Sequence, residues 1–140
     1  MLRQTLTERL MNTERTTPLS GARVLVVEDE YYLADDLSRA LLQAGAEVIG
    51  PVGTLAEATQ IVADGRFDCA IVDMNLRGDL AYPIAEQLKS ARIPFIVATG
   101  YNQTSLPEFL QDVPRVEKPF APHDVVRELT EMRRMPHVQA

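Results

Sequence analysis

Five short apolar runs recur along the chain, each followed by a segment with helical periodicity. This alternation narrows the possible folds more than any other feature. Val24–Val27, Glu47–Pro51, Asp68–Val72, Pro94–Ala98 and Arg115–Glu117 read as strands. Tyr31 to Ala44 carries Leu33, Leu37, Leu41 and Ala44 at helical spacing, and Gly45 follows as a stop. Thr54 reads as the N-cap of a helix to about Ala63, with Glu57 three residues on completing a capping box. Ala81 to about Ala91 predicts a helix with Ile84, Ala85 and Leu88 inward, and Pro122 to Met132 another with Val125, Leu129 and Met132 inward. Ser105–Asp112 predicts a short fifth helix. Apolar strands alternating with helices are the pattern of an α/β fold, a parallel sheet covered on both faces.

The 140 residues fit one domain with short tails, and a 46% apolar fraction is enough to bury a core. We expect residues 1–22 to be a flexible lead-in, residues 23–134 the domain, and residues 135–140 a tail. Leu2, Leu6 and Leu10 in the lead-in have helical spacing. Cys69 is the single cysteine, so no intramolecular disulfide can form, and its apolar run makes it a core residue. A lone thiol, no apolar stretch near the roughly 20 residues of a membrane span, and no secretory leader point to a cytoplasmic protein. The net charge is −6; Arg3, Arg9, Arg15 and Arg23 against Glu8 and Glu14 give the first 23 residues +2, leaving −8 for the rest. An acidic body argues against nucleic acid or an anionic membrane as partner.

In sheets of this kind ligands sit beyond the carboxyl ends of the strands. Strand one ends in Glu28-Asp29-Glu30, strand three in Asp73, strand four in Thr99-Gly100, and strand five runs into Lys118-Pro119-Phe120. Carboxylates gathered on one rim repel unless a cation sits among them. With no histidine or thiol nearby, oxygen ligands favour a hard ion, Mg²⁺ above all. A hydroxyl and an ammonium add donors for phosphoryl oxygens, so the set suits phosphoryl transfer to an aspartate.

Glu28-Asp29, Asp73, Thr99 and Lys118-Pro119, in this order and approximate spacing across residues 23 to about 134, resemble the receiver domains of bacterial two-component response regulators. Val97-Ala98-Thr99-Gly100-Tyr101 and Asp73-Met74-Asn75-Leu76-Arg77-Gly78 are similar to the FATGUY-type single-domain subgroup. The resemblance implies a flavodoxin-like, doubly wound (βα)5 fold with strand order 2-1-3-4-5. It implies Asp73 as phosphoacceptor, Asp29 as a direct Mg²⁺ ligand, Glu28 as a ligand mainly through water, and the Asn75 backbone carbonyl as a further ligand. Thr99 and Lys118 would bind phosphoryl oxygens, and the Lys118–Pro119 peptide would be cis. Many receivers place an aromatic switch residue three before the lysine; here Arg115 stands there, and Tyr101 is the substitute.

The function so implied is that of a stand-alone phosphoacceptor rather than an enzyme in the ordinary sense. It would take its phosphoryl group from a histidine kinase or phosphotransferase, then shuttle it or bind a downstream protein. Two alternatives stay open. An aspartate-dependent Mg²⁺ phosphatase of the haloacid-dehalogenase type wants a second acid two residues after the nucleophile, where this chain has Asn75. A receiver that only binds a partner would not need the full acid, threonine and lysine set.

Overall fold

A computed structural model of the chain describes Thr5, residues 17–100 and residues 106–134. Seven strands and four helices follow in the order β1 (Arg23–Val27), α1 (Tyr31–Gln43), β2 (Glu47–Val52), α2 (Leu55–Asp64), β3 (Cys69–Asp73), β4 (Asn75–Leu76), β5 (Asp79–Leu80), α3 (Tyr82–Ser90), β6 (Phe95–Thr99), β7 (Arg115–Glu117) and α4 (Pro122–Arg134). Five strands form one parallel sheet in the order β2-β1-β3-β6-β7. This is the expected 2-1-3-4-5 order; the small antiparallel β4–β5 hairpin only shifts the numbering.

Side chains alternate across a strand, so each strand feeds two cores. Leu25, Val27, Ala70, Val72, Phe95 and Val97 pack under α2 and α3 with Ala58, Val62, Ile84 and Leu88. Val24, Val26, Cys69, Ile71, Ile96 and Ala98 pack under α1 and α4 with Leu37, Leu41, Val125 and Leu129. The three central strands are buried almost throughout, and the edge strands β2 and β7 are largely open, which is why the central ones read as unbroken apolar runs. Helix α2 is closed as its sequence predicts: Thr54 Oγ1 accepts from the Glu57 N–H at 3.2 Å and donates to Glu57 Oε1 at 3.0 Å. No described helix is long and apolar enough to cross a membrane.

Two expectations need correction, and one element lay outside them. First, the helix expected over Ser105–Asp112 is, among the described residues, one 3-10 turn at Glu108–Leu110. Pro107 stands at its start and Pro114 follows, so too few residues remain for regular α-helical hydrogen bonds. Second, the packed domain begins before Arg23. Leu19 is fully buried, and its N–H donates to the Ala44 carbonyl at 2.8 Å. Gly45 (φ +93°) permits this approach, since a Cβ there would meet Ser20 Cα at 3.1 Å. That element is the hairpin: Asn75 pairs with Leu80 and Leu76 with Asp79 around Arg77 and Gly78, both left-handed at φ 53° and 94°. The helical spacing of Leu2, Leu6 and Leu10 lies outside the described residues.

Candidate functional site

The parallel register carries four sequence-distant residues to one rim. Val27 of β1 lies beside Val72 of β3, and Asp73 of β3 beside Ala98 of β6, so Glu28, Asp73 and Thr99 end adjacent strands. The Lys118 N–H donates to the Thr99 carbonyl at 2.8 Å, which continues the β6–β7 ladder by one residue and delivers the lysine to the same rim. The Lys118–Pro119 peptide is cis, as expected.

Glu28, Asp29 and Asp73 each place a carboxylate oxygen within 4.8 Å of the other two. Glu28 and Asp73 are buried at 4% and 3% exposure, and Thr99 is fully buried. The Lys118 ammonium bridges the two buried acids, donating to Asp73 Oδ2 at 2.8 Å and lying 3.1 Å from Glu28 Oε1. Backbone donors hold the remaining oxygens: the Asn75 N–H reaches Asp73 Oδ1 at 3.0 Å, and the Glu30 N–H reaches Glu28 Oε2 at 3.0 Å. Burial pushes the Glu28 carboxyl up to about 7, and the charge of Asp73 adds to it, while the Glu30 N–H and Lys118 pull the other way. For Lys118, burial opposes the charged form. The hydrogen bond to Asp73 and the charges of Asp73 and Glu28 outweigh it and hold the ammonium above its ordinary value.

Thr99 Oγ1 is buried and has no hydrogen-bond partner among the described residues. A hydroxyl in a core normally finds a partner, which sets this one apart among the described side chains. An open cleft of about 460 Å³, lined by Glu30, Leu33, Gly100, Lys118, Pro119 and Phe120, leads to the lysine.

All six expected residues in the described segments, Glu28, Asp29, Asp73, Asn75, Thr99 and Lys118, come together at this rim. The Asn75 side chain accepts from the Gly78 N–H at 2.6 Å and so closes the hairpin beside Asp73. Arg115 is turned outward, with Glu117 at 3.7 Å. The switch role expected of Tyr101 lies outside the described residues. Sequence reasoning missed Arg77, whose Nε lies 3.3 Å from Asp29 Oδ2. Its signal was the Arg-Gly pair between Asn75-Leu76 and Asp79-Leu80, a two-residue hairpin loop that turns a side chain back over the rim.

No family model matches the chain. Over 108 residues the chain is 31% identical to the transcriptional regulatory protein PdtaR of Mycobacterium tuberculosis, covering 74% of this chain and 53% of that protein. The chain spans about half the length of the curated relatives it matches. The solution structure of SdrG from Sphingomonas melonis Fr1 superposes with a TM-score of 0.71 at 36% identity, covering 84% of this chain and 98% of that one. A response regulator receiver protein from Sinorhizobium medicae WSM419 shares the fold, with a TM-score of 0.69 at 18% identity over 83% of this chain and 97% of that one. With the sheet order, the rim carboxylates and these likenesses in agreement, the chain belongs to the response regulator receiver family.

Proposed function

We propose that this receiver accepts a phosphoryl group on Asp73 from the phosphohistidine of a kinase or phosphotransferase. One observation carries this most directly. A carboxylate sits at the end of a central strand, nearly buried, with an ammonium 2.8 Å away and two further carboxylates beside it. An Asp73 oxygen attacks phosphorus, the bond from phosphorus to the donor's imidazole nitrogen breaks, and its electron pair leaves with the imidazole. Lys118 offsets charge on the incoming phosphoryl oxygens, and the unpaired Thr99 hydroxyl donates to one of them. The donor set fits a hard divalent ion: Glu28, Asp29 and Asp73 supply carboxylate oxygens, and the Asn75 carbonyl is a further candidate ligand. When bound, Mg²⁺ would supply positive charge against the phosphoryl oxygens.

Phosphatase chemistry is less well supported. The residue two after Asp73 is Asn75, whose amide oxygen is already engaged by Gly78, so that position offers no acid for a leaving alcohol. Movement of Thr99 and Lys118 toward the phosphoryl group would alter the surface around the cleft, and a downstream protein would read that change.

Incubation with acetyl phosphate and Mg²⁺, followed by intact mass measurement, tests the assignment. The wild type gains one labile phosphoryl group, and Asp73→Asn gains none while keeping its fold. Label retained on an aspartate of Asp73→Asn would show that Asp73 is not the acceptor.

A further inference from the structure

We infer that Arg77 is a built-in counter-cation for Asp29 that competes with the divalent ion and so sets the metal affinity of this receiver. The inference rests on the carboxylate cluster being a Mg²⁺ site, as proposed above. With all three carboxylates ionised, the rim carries three negative charges and two cationic partners. Lys118 serves Asp73 and Glu28, and Arg77 serves Asp29 through Nε at 3.3 Å from Oδ2. A divalent ion drawn to these carboxylates is repelled by the organic cations already paired with them, and the most weakly held of those yields first.

Geometry selects Arg77. Lys118 is bonded to two buried acids and is itself only 26% exposed. Arg77 contacts one acid, and its side chain is 82% exposed, so it can swing into water with little desolvation or packing to lose. Asp29, by contrast, is only 15% exposed and stays in place. The Cα of Arg77 does not need to move. The turn is pinned by the Asn75–Leu80 and Leu76–Asp79 pairs and by the Gly78 N–H on Asn75 Oδ1 at 2.6 Å. The arginine therefore stays tethered above Asp29 and re-forms the pair whenever the ion leaves. Removing it frees Asp29 of a competitor without touching any proposed ligand.

The test is calorimetric titration of Mg²⁺ into the metal-stripped full chain, with no phosphodonor present. Arg77→Asn removes the charge and suits the left-handed backbone at φ 53°. Arg77→Gln removes the charge with a longer stem, and serves should the first variant fail to fold. Either neutral variant should bind Mg²⁺ about two- to fivefold more tightly than wild type at low salt, the range expected for one exposed ion pair. Arg77→Lys keeps the charge and should stay near wild type. The gain should shrink as salt screens the pair. If the wild type binds Mg²⁺ in an Asp29-dependent way and the neutral variants bind no more tightly, Arg77 is not a competitor and the metal site itself still stands. If the wild type binds no Mg²⁺, the metal site and the inference fall together.

Discussion

Replacing Thr99 by valine should stabilise the unphosphorylated domain while removing its response to phosphorylation. Thr99 is fully buried at the end of β6, and its Oγ1 has no partner among the described residues. A buried hydroxyl without a partner costs about 1–3 kcal/mol. Valine has nearly the same shape, leaves no cavity, and is at least as well suited to a buried strand. The expected gain is therefore about 1 kcal/mol, at the lower end of that range. For a chain of this size that is roughly a 3–5 °C rise in Tm. On the proposed role, phosphorylation would give the wild-type hydroxyl an acceptor, so modification should stabilise the wild type more than the variant. The assay is a thermal melt of both proteins, each with and without the phosphoryl group on Asp73. An unmodified variant that melts below wild type would mean that the hydroxyl is satisfied in the resting fold. An equal increment on phosphorylation in both proteins would mean that Thr99 never meets the phosphoryl group.

Three further outcomes follow from the same geometry. Lys118→Ala leaves the buried oxygens of Glu28 and Asp73 without their ammonium donor, and should cost about 1–3 kcal/mol in denaturant melts without metal; saturating Mg²⁺ should restore much of it, and no loss would mean that the lysine does not hold the acids. Mg²⁺ should raise the melting temperature of the wild type by linkage, and Asp29→Ala should abolish most of that rise; an unchanged rise would remove Asp29 from the ligand set. Burial pushes the Cys69 thiol up to about 11, with the Asp68 charge raising it further and Arg133 opposing. The thiolate is then scarcer in the folded state than in the unfolded chain, so iodoacetamide near pH 8 should modify Cys69 only under denaturing conditions; rapid alkylation of the native protein would show that the β3 core opens.

Helix and strand order were legible in the residues because each central strand is buried on both sides and each helix on one. Burial on both sides writes an unbroken apolar run such as Cys69–Val72, and burial on one writes the spacing of Leu37 and Leu41 or Val125 and Leu129. The acids, the threonine and the lysine were legible for a related reason: in a parallel sheet, chemistry sits where apolar strands stop. Local chemistry also wrote the capping box of Thr54 and Glu57.

What only the tertiary structure decided are the contacts between segments whose local patterns say nothing of each other. Leu19 looks like a lead-in residue, yet it is fully buried because Ala44 and Gly45 close over it from the end of α1. The expected helix near Leu110 reduces to one turn because its two prolines limit it while Leu110 and Val113 are drawn into the α2–α3 core. Arg77 meets Asp29 across 48 positions of sequence, and among the described residues the folded strands bring no partner to the Thr99 hydroxyl. Periodicity records which side of an element is buried. It carries no record of which distant atom a side chain will face, because that is fixed when the sheet register brings the strand ends together.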